Sequence, residues 1–479
     1  MARFSVDRIM GTEKYDKKSV IHKSMHPMLL LVIVVVLCAA CTYIIPAGTY
    51  QRVEDQTIGR ELIVPGSFEY TVRTPATPMK LLMSLTLGLQ NAADIIFFLL
   101  ITGGMFAVIN GNGALNIGMA TILKKLKGKE VLMVPLCMIF FGLGSAFLGC
   151  FEEYLAFVPL FLACCVTVGL DSLVAVGIIF IAATVGYAGP ITNSFTLGTA
   201  QQIAGLDVFS GMSFRIGVFA VLEVISIAYV TWYAVMVRRN PQFSGCYEYD
   251  REYNAGKRFD LDNIPTLTLR QGLSIVTFAA GMVLAAIGVI VFGFYVDELA
   301  AVFLAIGVIG GLAGGLRPGE ICKHFINGCR DMVLPVIMIG LANAAVILLK
   351  DGNVLDTMLF TLGSLIVKLP SGFAAFGMFV AHEIINVAVP SGSAQAALTM
   401  PLMVPLAERM GVSGQTAVLA YHLGDAFTNV YAPTGGEILA ALAICRVPFS
   451  KWLKFLTPLF ILWWVTSFII LMAATMTGF

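Results

Sequence analysis

One stretch of the sequence, residues 381–437, is apolar enough to lie in a bilayer but contains repeated helix-breaking residues. Proline, glycine and hydrogen-bonding side chains interrupt it at Pro390–Gln395 and again at Asp425–Glu437. An unpaired backbone N–H or C=O in hydrocarbon costs several kcal/mol, so interrupted helices persist there only where protein or water receives the freed groups. The stretch therefore predicts a re-entrant hairpin with its tip at Ser391–Ser393 and a discontinuous helix broken near Ala432–Gly436.

The same pattern occurs earlier in the chain, at residues 149–194. Gly411 follows Gly169 by 242 residues, and Pro433 follows Pro190 by 243 residues. Interrupted segments at matching positions of two halves indicate a binding site near the bilayer midplane of a secondary transporter. The alternative is that Gly, Ser and Pro only allow close helix packing, but close packing does not require a shared spacing. We therefore expect two repeats.

Composition supports a membrane protein. The chain has 479 residues, of which 58% are hydrophobic and only 12% charged, which excludes an ordinary soluble protein. A net charge of +1 gives no reason to expect a nucleic-acid partner. No pair of the ten cysteines has zinc-finger spacing, and no nucleotide-binding glycine loop is present, so we expect no cofactor.

The first apolar segment, Met28–Pro46, is close in length to the roughly 20 uncharged residues that a spanning helix needs. It follows a polar, basic segment at residues 1–27 and lacks a small-residue cleavage pattern. We interpret it as an uncleaved first span with a cytoplasmic amino terminus.

The repeats set the predicted organisation. The expected fold is an all-α polytopic membrane protein with two inverted repeats, each containing a re-entrant hairpin and a discontinuous helix. The predicted parts are a cytoplasmic segment (1–27), a first repeat (28–237) with its hairpin near 145–167 and broken helix at 172–205, a cytoplasmic linker (238–271), and a connecting span with the second repeat (272–479), whose hairpin lies near 386–408 and broken helix at 415–445.

Further spans are predicted from apolar runs at 93–109, 130–147, 214–237, 272–292, 297–315, 332–349, 371–389 and 455–477. Residues 47–92 form a polar excursion. Whether 110–129 and 354–368 cross the bilayer is open, because the basic clusters need an even number of crossings between them. We favour crossing for both.

The pair Glu152-Glu153 is the strongest candidate for chemistry. A carboxylate inside a membrane costs roughly 2.5–3.5 kcal/mol on insertion scales, so it marks a solute or proton site by default. The alternative is that both side chains lie at a water-exposed hairpin base.

Asp425 precedes Asn429 by four residues, so the two share a helix face and offer oxygen ligands of the kind that hard cations prefer. A Na⁺ or H⁺ coupling role is one hypothesis. A buried structural hydrogen bond is the other.

Neutral hydrogen-bonding groups and glycine flank the proposed breaks. The candidate solute-binding set adds Thr192, Asn193, Ser391, Gly392, Ser393, Gln395, Asn429 and Thr434 to the two glutamates. Helix amino termini at the breaks would present N–H groups to a carboxylate. Donors for an anionic group beside acids for a cationic group suit a zwitterion.

Other polar residues are given lesser roles. His382 and His422 are interpreted as helix contacts rather than proton relays. Glu437 is interpreted as the residue that closes the second broken helix. Trp452, beside two lysines, is interpreted as a membrane-interface anchor.

Four motifs resemble one carrier group: IPAGTY at 45–50, FEEYLAF at 151–157, SGSAQAALTMPL at 391–402 and GDAFTN at 424–429. They are similar to the YfcC-type branch of the anaerobic C4-dicarboxylate carrier and arginine/ornithine antiporter group of the ion-transporter superfamily. The resemblance implies inverted repeats, an elevator-type transport core, a homodimer and a location in the bacterial cytoplasmic membrane.

The expected function is secondary active transport of a zwitterionic or basic amino acid, by exchange or by Na⁺ or H⁺ coupling. Glu152 and Glu153 stand where dicarboxylate carriers of the superfamily tend to have Ser, Asn and Thr, which favours a positively charged solute. The alternative within transport is coupled C4-dicarboxylate uptake. Outside transport by a carrier, one alternative is an intramembrane hydrolase that uses Ser391 or Ser393 with His382 or His422, but it does not explain the duplicated halves, and we expect no enzyme activity. A channel is the other alternative, and saturable counterflow would argue against it.

Overall fold

The computed structural model describes residues 27–55, 60–126, 128–261 and 264–479. The predicted cytoplasmic amino-terminal segment therefore lies almost wholly outside the described residues. The helices up to the linker are α1 (Pro27–Ile44), α2 (Pro78–Asn91), α3 (Ala93–Ile109), α4 (Ala114–Lys125), α5 (Met133–Leu148), α6 (Val158–Thr167), α7 (Ser172–Ala188), α8 (Thr199–Ile203), α9 (Met212–Arg239) and α10 (Tyr247–Tyr249).

The helices after the linker are α11 (Leu269–Phe292), α12 (Val296–Ala313), α13 (Pro318–Asp331), α14 (Val333–Asp351), α15 (Val354–Ile366), α16 (Ser371–Ala388), α17 (Gly392–Arg409), α18 (Gly414–Tyr431), α19 (Gly436–Ile444) and α20 (Phe449–Thr477). Short 3₁₀ or π turns occupy Glu130–Leu132, Glu152–Phe157, Ser194–Gly198, Pro241–Phe243, Asp250–Asn254 and Ala255–Lys257.

Every apolar run predicted as a span is helical. In the part of the chain that the structure describes, six helices are long and apolar enough to cross a membrane, or seven if α2 and α3, bent by 62°, form one span. The molecule is a multi-pass membrane protein. Helices α4 and α15 contain 12 and 13 residues. Each is therefore about 20 Å long or less, too short to cross a hydrocarbon core of about 30 Å alone.

The prediction of an all-α fold is wrong in one region. Between α1 and α2 lie β1 (Gly48–Thr49), β2 (Arg52–Asp55), β3 (Arg60–Ile63) and β4 (Glu69–Tyr70), which pair antiparallel as β1 with β4 and β2 with β3. Short strands of this kind are marginal alone. Here they are fixed to α15, because the Arg52 guanidinium lies 2.7 Å from a carboxylate oxygen of Asp356 and Phe68 stacks on Phe360 at 4.1 Å between ring centroids.

Two helices form the centre of the core. Every residue of α7 is buried, and α18, which is almost as buried, packs against it. Helices α5 and α9 flank α7, while α16 and α20 flank α18. A second set of helices pairs the bent element α2–α3 with the consecutive helices α13 and α14, with α2 against α14 and α3 against α13.

The chain reverses direction after α5 and again after α16. The Phe141 ring in α5 contacts Tyr154, Phe157 and Phe161, with centroids 4.8 to 5.5 Å apart. A continuous helix would separate residues 20 positions apart by about 30 Å. In the second half, the Gln395 side-chain amide donates to the His382 carbonyl at 2.9 Å. Both reversals are therefore hairpins, with α5 and α16 as their first arms. These arms begin before the predicted bounds near 145–167 and 386–408, and they coincide with the runs at 130–147 and 371–389 that were predicted as separate spans.

Both helices that follow the hairpins are interrupted. Helix α7 ends at Ala188, and helical structure resumes at Ser194. Helix α18 ends at Tyr431, and α19 begins at Gly436. The interruptions at 189–193 and 432–435 are called break 1 and break 2 below.

The tip of the first hairpin requires glycine. Gly149 has a φ of +75°, and a β-carbon there would lie 2.6 Å from Oδ1 of Asn193 in break 1. A left-handed φ disfavours any residue with a β-carbon, and a contact this short requires backbone or amide movement.

The linker packs against the ends of the core helices. Asp171, the N-cap residue of α7, accepts hydrogen bonds from the hydroxyls of Tyr233 and Ser244 at 2.8 and 2.6 Å. Asp250 in the linker accepts from the Ser172 backbone N–H at 2.9 Å. Burial, and secondarily the charge of Asp250, raises the pKa of Asp171 to about 6. Burial also raises the pKa of Asp250.

We predict that Gly149→Ala destabilises the protein more than Gly169→Ala does. Both glycines have φ near +75 to +79°, but only Gly149 has a neighbouring atom within 4 Å of the added carbon. The backbone cost, about 1 kcal/mol, is shared, so the difference in melting temperature of the purified variants reports the contact with Asn193. Equal melting temperatures would contradict this account of the tip.

We also predict that linker docking strengthens as pH falls. Burial, to which the linker contributes, and the charge of Asp250 raise the pKa of Asp171 from 3.8 to about 6. The docked state therefore binds this proton more tightly than a state in which water reaches the carboxyl, and its added stability is full below pH 3.8, decreases as the pH rises, and is lost above about pH 6. Hydrogen exchange of residues 241–261, corrected for intrinsic chemistry, should be slower at pH 5 than at pH 8. Asp171→Asn should remove most of this difference, and equal protection of the native linker at both pH values would exclude the mechanism.

Candidate functional site

A cavity of about 220 Å³ lies where the two hairpin tips approach the two breaks. Its lining comes from seven separate parts of the chain. The lining residues are Asn91, Ala92, Ile95, Phe98, Gly149, Phe151, Glu152, Glu153, Tyr187, Phe195, Thr196, Tyr295, Val296, Leu299, Ile339, Asn343, Val346, Val389, Pro390, Ser391, Gly392, Ser393, Ala394, Asn429 and Glu437. Residues from both halves of the sequence therefore face one space.

The first hairpin contributes two carboxyl groups to this cavity. Glu152 and Glu153 begin the 3₁₀ turn that follows the tip, and Oε2 of Glu153 accepts a hydrogen bond from the Phe151 backbone N–H at 2.8 Å. A third carboxyl comes from Glu437 in the first turn of α19, close enough to Glu152 for their charges to interact.

The cavity is acidic. Three of the lining side chains carry a carboxyl group, and none of the described lining residues is lysine, arginine or histidine. Like charges at short range repel strongly in a medium of low dielectric constant. The arrangement therefore favours a positively charged group between the carboxyls, or protons that neutralise them.

The second hairpin contributes a helix amino terminus. Ser391, Gly392 and Ser393 line the cavity, and α17 begins at Gly392. The N–H groups of a first helical turn have no acceptor within their own helix and carry a partial positive charge. The Tyr421 hydroxyl donates to the Gly392 carbonyl at 2.6 Å and holds the tip on α18.

Two predicted residues, Gln395 and Asp425, lie behind the second tip in a buried polar chain. The Asn386 amide donates to Oε1 of Gln395 at 2.9 Å and to Oδ1 of Asp425 at 2.6 Å. The Gln395 amide lies 3.4 Å from Nδ1 of His382. Oδ2 of Asp425 has no hydrogen-bond partner among the described residues. This series of hydrogen-bonded side chains thus ends at Oδ2 of Asp425, to which no described group donates.

The predicted pairing of Asp425 with Asn429 differs from what the structure shows. Asn429 lines the cavity, whereas Asp425 is fully buried and contacts Asn386 instead. A β-carbon at Gly392 would lie 3.0 Å from Oδ2 of Asp425 and 2.7 Å from Cγ2 of Thr196. The carboxylate is therefore directly beneath the second tip. No cluster of three or more His, Cys, Asp or Glu suited to a metal ion occurs in the described ranges.

Break 1 is fixed to the first hairpin by hydrogen bonds from Ile191 and Thr192. The backbone N–H groups of Ile191 and Thr192 donate to the Ala146 carbonyl, and the Thr192 hydroxyl donates to the Phe147 carbonyl at 3.0 Å. Oδ1 of Asn193 accepts from the N–H groups of the turn that follows, at 3.0 and 3.2 Å. Both predicted residues are therefore behind the cavity, where they shape the break.

A buried arginine completes break 1. Nε of Arg215 donates to the Pro190 carbonyl at 2.9 Å, and its other nitrogens donate to the carbonyls of Ser210 and Phe209 and to the Gln415 side chain. Arg215 is 1% exposed. Its sequence signal was a single basic residue just inside a predicted span.

Break 2 has an analogous donor, and it corrects a prediction. Trp452 is fully buried, and its Nε1 donates to the Val430 carbonyl at 2.8 Å, two residues before the break. It is therefore not an interface anchor. Thr434, in break 2, is buried, and its hydroxyl has no hydrogen-bond partner among the described residues.

Sequence reasoning did not assign three features of the site. Glu437 was interpreted only as closing a helix, and Asn386 was not singled out although it is a polar residue inside an apolar run. The amide pair of Asn91 and Asn343, joined at 3.0 Å, also lies at the cavity. Each is an intramembrane polar residue, which is the signal that could have found it.

Known proteins resemble this chain along most of its length. Residues 26–476 match the family described as C4-dicarboxylate anaerobic carrier, DcuC. The Escherichia coli (strain K12) protein named "Putative basic amino acid antiporter YfcC" is 31% identical over 94% of this chain and 96% of its own length. An uncharacterised protein of Haemophilus influenzae is 32% identical over 86% of this chain and 78% of its own length.

Two solved transporters are more distant. The Alcanivorax borkumensis YdaH transporter is 14% identical with a TM-score of 0.47, and the alignment covers 95% of this chain and 99% of that one. The Neisseria gonorrhoeae efflux pump MtrF is 17% identical with a TM-score of 0.44, covering 94% of each chain. These scores are too low for the likeness to bear on the fold.

The matched relatives with a stated activity are carriers, and no enzyme is among them. The comparisons therefore support a transporter rather than an intramembrane serine hydrolase. Over nearly its whole length, and with the apolar helices that such a protein needs, the chain belongs to the C4-dicarboxylate anaerobic carrier (DcuC) family of membrane transporters.

Proposed function

We propose that this protein is a secondary active transporter of a basic or zwitterionic amino acid, working by exchange or by Na⁺ or H⁺ coupling. The observation that carries the proposal is the charge of the cavity. Glu152, Glu153 and Glu437 face it and no described lining side chain is basic. A dicarboxylate would have to enter against three carboxyl groups, whereas the ammonium or guanidinium group of a basic amino acid would neutralise them.

The second hairpin supplies the complementary end of the site. The first turn of α17 and the Ser391 and Ser393 side chains suit the α-carboxylate of an amino acid. Acids on one tip and a helix amino terminus on the other match the two ends of a zwitterion. The name of the Escherichia coli relative, a basic amino acid antiporter, supports the same solute class.

Coupled C4-dicarboxylate transport is the alternative, and the family description favours it. It requires that the three glutamates be protonated during binding, or that cations bind with the solute. The amide groups of Asn91 and Asn343 and the α17 amino terminus would then bind the two carboxylates.

We place the coupling site at Asp425. Its Oδ2 is buried without a donor, and Asn386 holds its other oxygen. A buried carboxylate without a counter-charge is costly, so a Na⁺ ion or a proton beneath the second tip would relieve that cost. Asn429, on the cavity side of the same helix, would link this ion to the solute.

We propose that the two halves are inverted repeats with an elevator-type motion. The consecutive helix pairs α2–α3 and α13–α14 are interrupted at Ala92 and Met332, which are 240 residues apart. Helices α4 and α15 also begin 240 residues apart. Each half then has a hairpin, an interrupted helix and a long helix, in the same order.

The positions of basic residues support this topology. If α5 and α6 are the arms of a re-entrant hairpin and α4 lies along the membrane surface, two crossings separate Lys124 and Lys125 from Arg238 and Arg239: the interrupted helix and α9. All four are then cytoplasmic. The same topology removes the need for α4 and α15 to cross. The proposals of a homodimer and of a location in the bacterial cytoplasmic membrane rest on the resemblance alone.

We predict that Glu152→Gln and Glu153→Gln each weaken transport of labelled lysine or arginine. Removing one carboxylate that contacts a desolvated cation should raise KM at least about tenfold, equivalent to about 1.4 kcal/mol. Counterflow in proteoliposomes measures this change. Glu408→Gln, which alters an exposed carboxyl at the end of α17, is the matched control and should change KM little.

Succinate provides the opposing test in the same vesicles. The proposal expects unlabelled lysine or arginine, but not succinate, to compete with the labelled amino acid. Saturable succinate counterflow that the glutamine variants leave intact would favour the dicarboxylate alternative.

We predict that Asp425→Asn uncouples transport from its ion gradient. The amide is nearly the same size as the carboxylate but carries no negative charge and no titratable proton, so it neither binds H⁺ nor balances the charge of Na⁺. Exchange between two solute pools should therefore continue while gradient-driven accumulation falls to equilibrium. Asn429→Asp, a change on the same helix face that adds an acid, is the companion variant. Accumulation by Asp425→Asn at the native level would remove Asp425 from coupling.

A further inference from the structure

Glu223 is a buried acid outside the cavity that the proposed function does not use. It lies in the middle of α9, is 4% exposed, and neither carboxyl oxygen has a hydrogen-bond partner among the described residues. The carboxyl packs over Gly142 in the first arm of the first hairpin, where a β-carbon would lie 3.2 Å from the carboxyl carbon and from each oxygen. A larger residue at 142 would fill the space that the carboxyl occupies.

The other half contains a second buried acid at the corresponding contact. Glu383, in the first arm of the second hairpin, is 8% exposed and accepts a hydrogen bond from Nε1 of Trp464 in α20 at 2.9 Å. Glu383 follows Gly142 by 241 residues, and Trp464 follows Glu223 by 241 residues. Each half thus has one carboxyl between its first hairpin arm and its long helix. The carboxyl belongs to the long helix in the first half and to the hairpin arm in the second half.

Among the described residues, neither acid has a cationic partner. The titratable or charged side chains on α9 and on the elements packed against it are Cys137, Tyr187, Glu130, Lys451, Lys454, Arg215, Tyr229, Tyr233, Arg238 and Arg239. None of them hydrogen-bonds to Glu223. Those on α16 and its neighbours are His382, Lys350, Asp351, Asp356, Glu408, Arg409, Tyr421, His422, Asp425, Tyr431, Lys451 and Lys454.

The donor to the Glu383 carboxyl is the indole of Trp464, which is neutral. An ionised carboxylate without a counter-charge in a membrane interior is costly. The acid form therefore fits both positions in this conformation.

We propose that Glu223 and Glu383 are a pair of proton-binding sites, separate from the cavity, whose occupancy changes when the first hairpin arms move. This inference rests on the proposed transport function, because it needs the hairpins to move. When an arm separates from its long helix, water reaches the carboxyl and takes its proton. When the arm closes, the carboxylate takes a proton back from water before it is buried. One proton per half is bound or released, and no covalent bond changes.

The direct test is chemical labelling of the native protein with a hydrophobic carbodiimide. The reagent adds across its C=N bond to a protonated carboxyl inside a membrane, and mass spectrometry of the peptides locates the adduct. At pH 7.5 we expect adducts on Glu223 and Glu383 but not on Glu408, an acid that is exposed at the end of α17. Saturating lysine, by shifting the arms, should change the labelling of both sites at least about threefold.

The functional test is the pH profile of lysine exchange between pH 5.5 and 8.5. Glu223→Gln and Glu383→Gln fix the neutral form, so each should flatten the profile while the exchange rate at the low-pH end stays near native. Glu408→Gln should keep the native profile. Trp464→Phe, which removes the donor to Glu383, should shift the profile without abolishing it.

Different failures point to different errors. Absence of adducts on both acids at pH 7.5, or a native pH profile in both glutamine variants, would overturn the proton-site inference. Absence of both lysine and arginine exchange in the native protein would instead count against the proposed transport of basic amino acids, and the labelling result would still decide whether the two acids bind protons. Labelling requires no variant, so it holds even if a variant fails to fold.

Discussion

The fold depends on hydrogen-bond partners for the backbone groups that the two breaks leave unpaired in an apolar interior. In break 1, the backbone N–H groups of Ile191 and Thr192 donate to the Ala146 carbonyl of α5, and the Arg215 guanidinium donates to the Pro190 carbonyl. Next to break 2, the Val430 carbonyl receives the Trp452 indole. Without such partners each group would cost several kcal/mol. The long helices α9 and α20 thus each supply one large buried donor to the end of an interrupted helix.

The position of the cavity follows from these contacts. Break 1 is bonded to the end of the first hairpin arm, and the second tip is bonded to α18 through Tyr421. The tips therefore face each other, and the acids at 152, 153 and 437 come from two different elements of opposite halves. The cost of holding three carboxyls near one another is the physical reason to expect a cationic solute. The same contacts place Asp425 beneath the second tip, so that ion binding there would depend on whether the tip is closed.

Much of this arrangement could be predicted from the sequence, because the signals were local. Apolar runs predicted the helices, and glycine, proline and serine predicted the hairpin tips and the breaks. The duplication predicted that Glu152 and Ser391 would meet, and both line the cavity. In contrast, the strands between α1 and α2 depend on Asp356, some 300 residues away, which no local pattern indicates. The roles of Asn386, Arg215 and Trp452 are set in the same way by distant partners.

The central claim is that the two interrupted modules hold one cationic solute between Glu152 and Glu437 on one side and the start of α17 on the other. An experimental structure in lipid nanodiscs with saturating lysine tests it most directly. The account predicts ligand density in the cavity, with the ammonium group against the carboxyls and the carboxylate against Gly392. Density at another site, or a dicarboxylate bound in the same cavity while lysine leaves it empty, would contradict it.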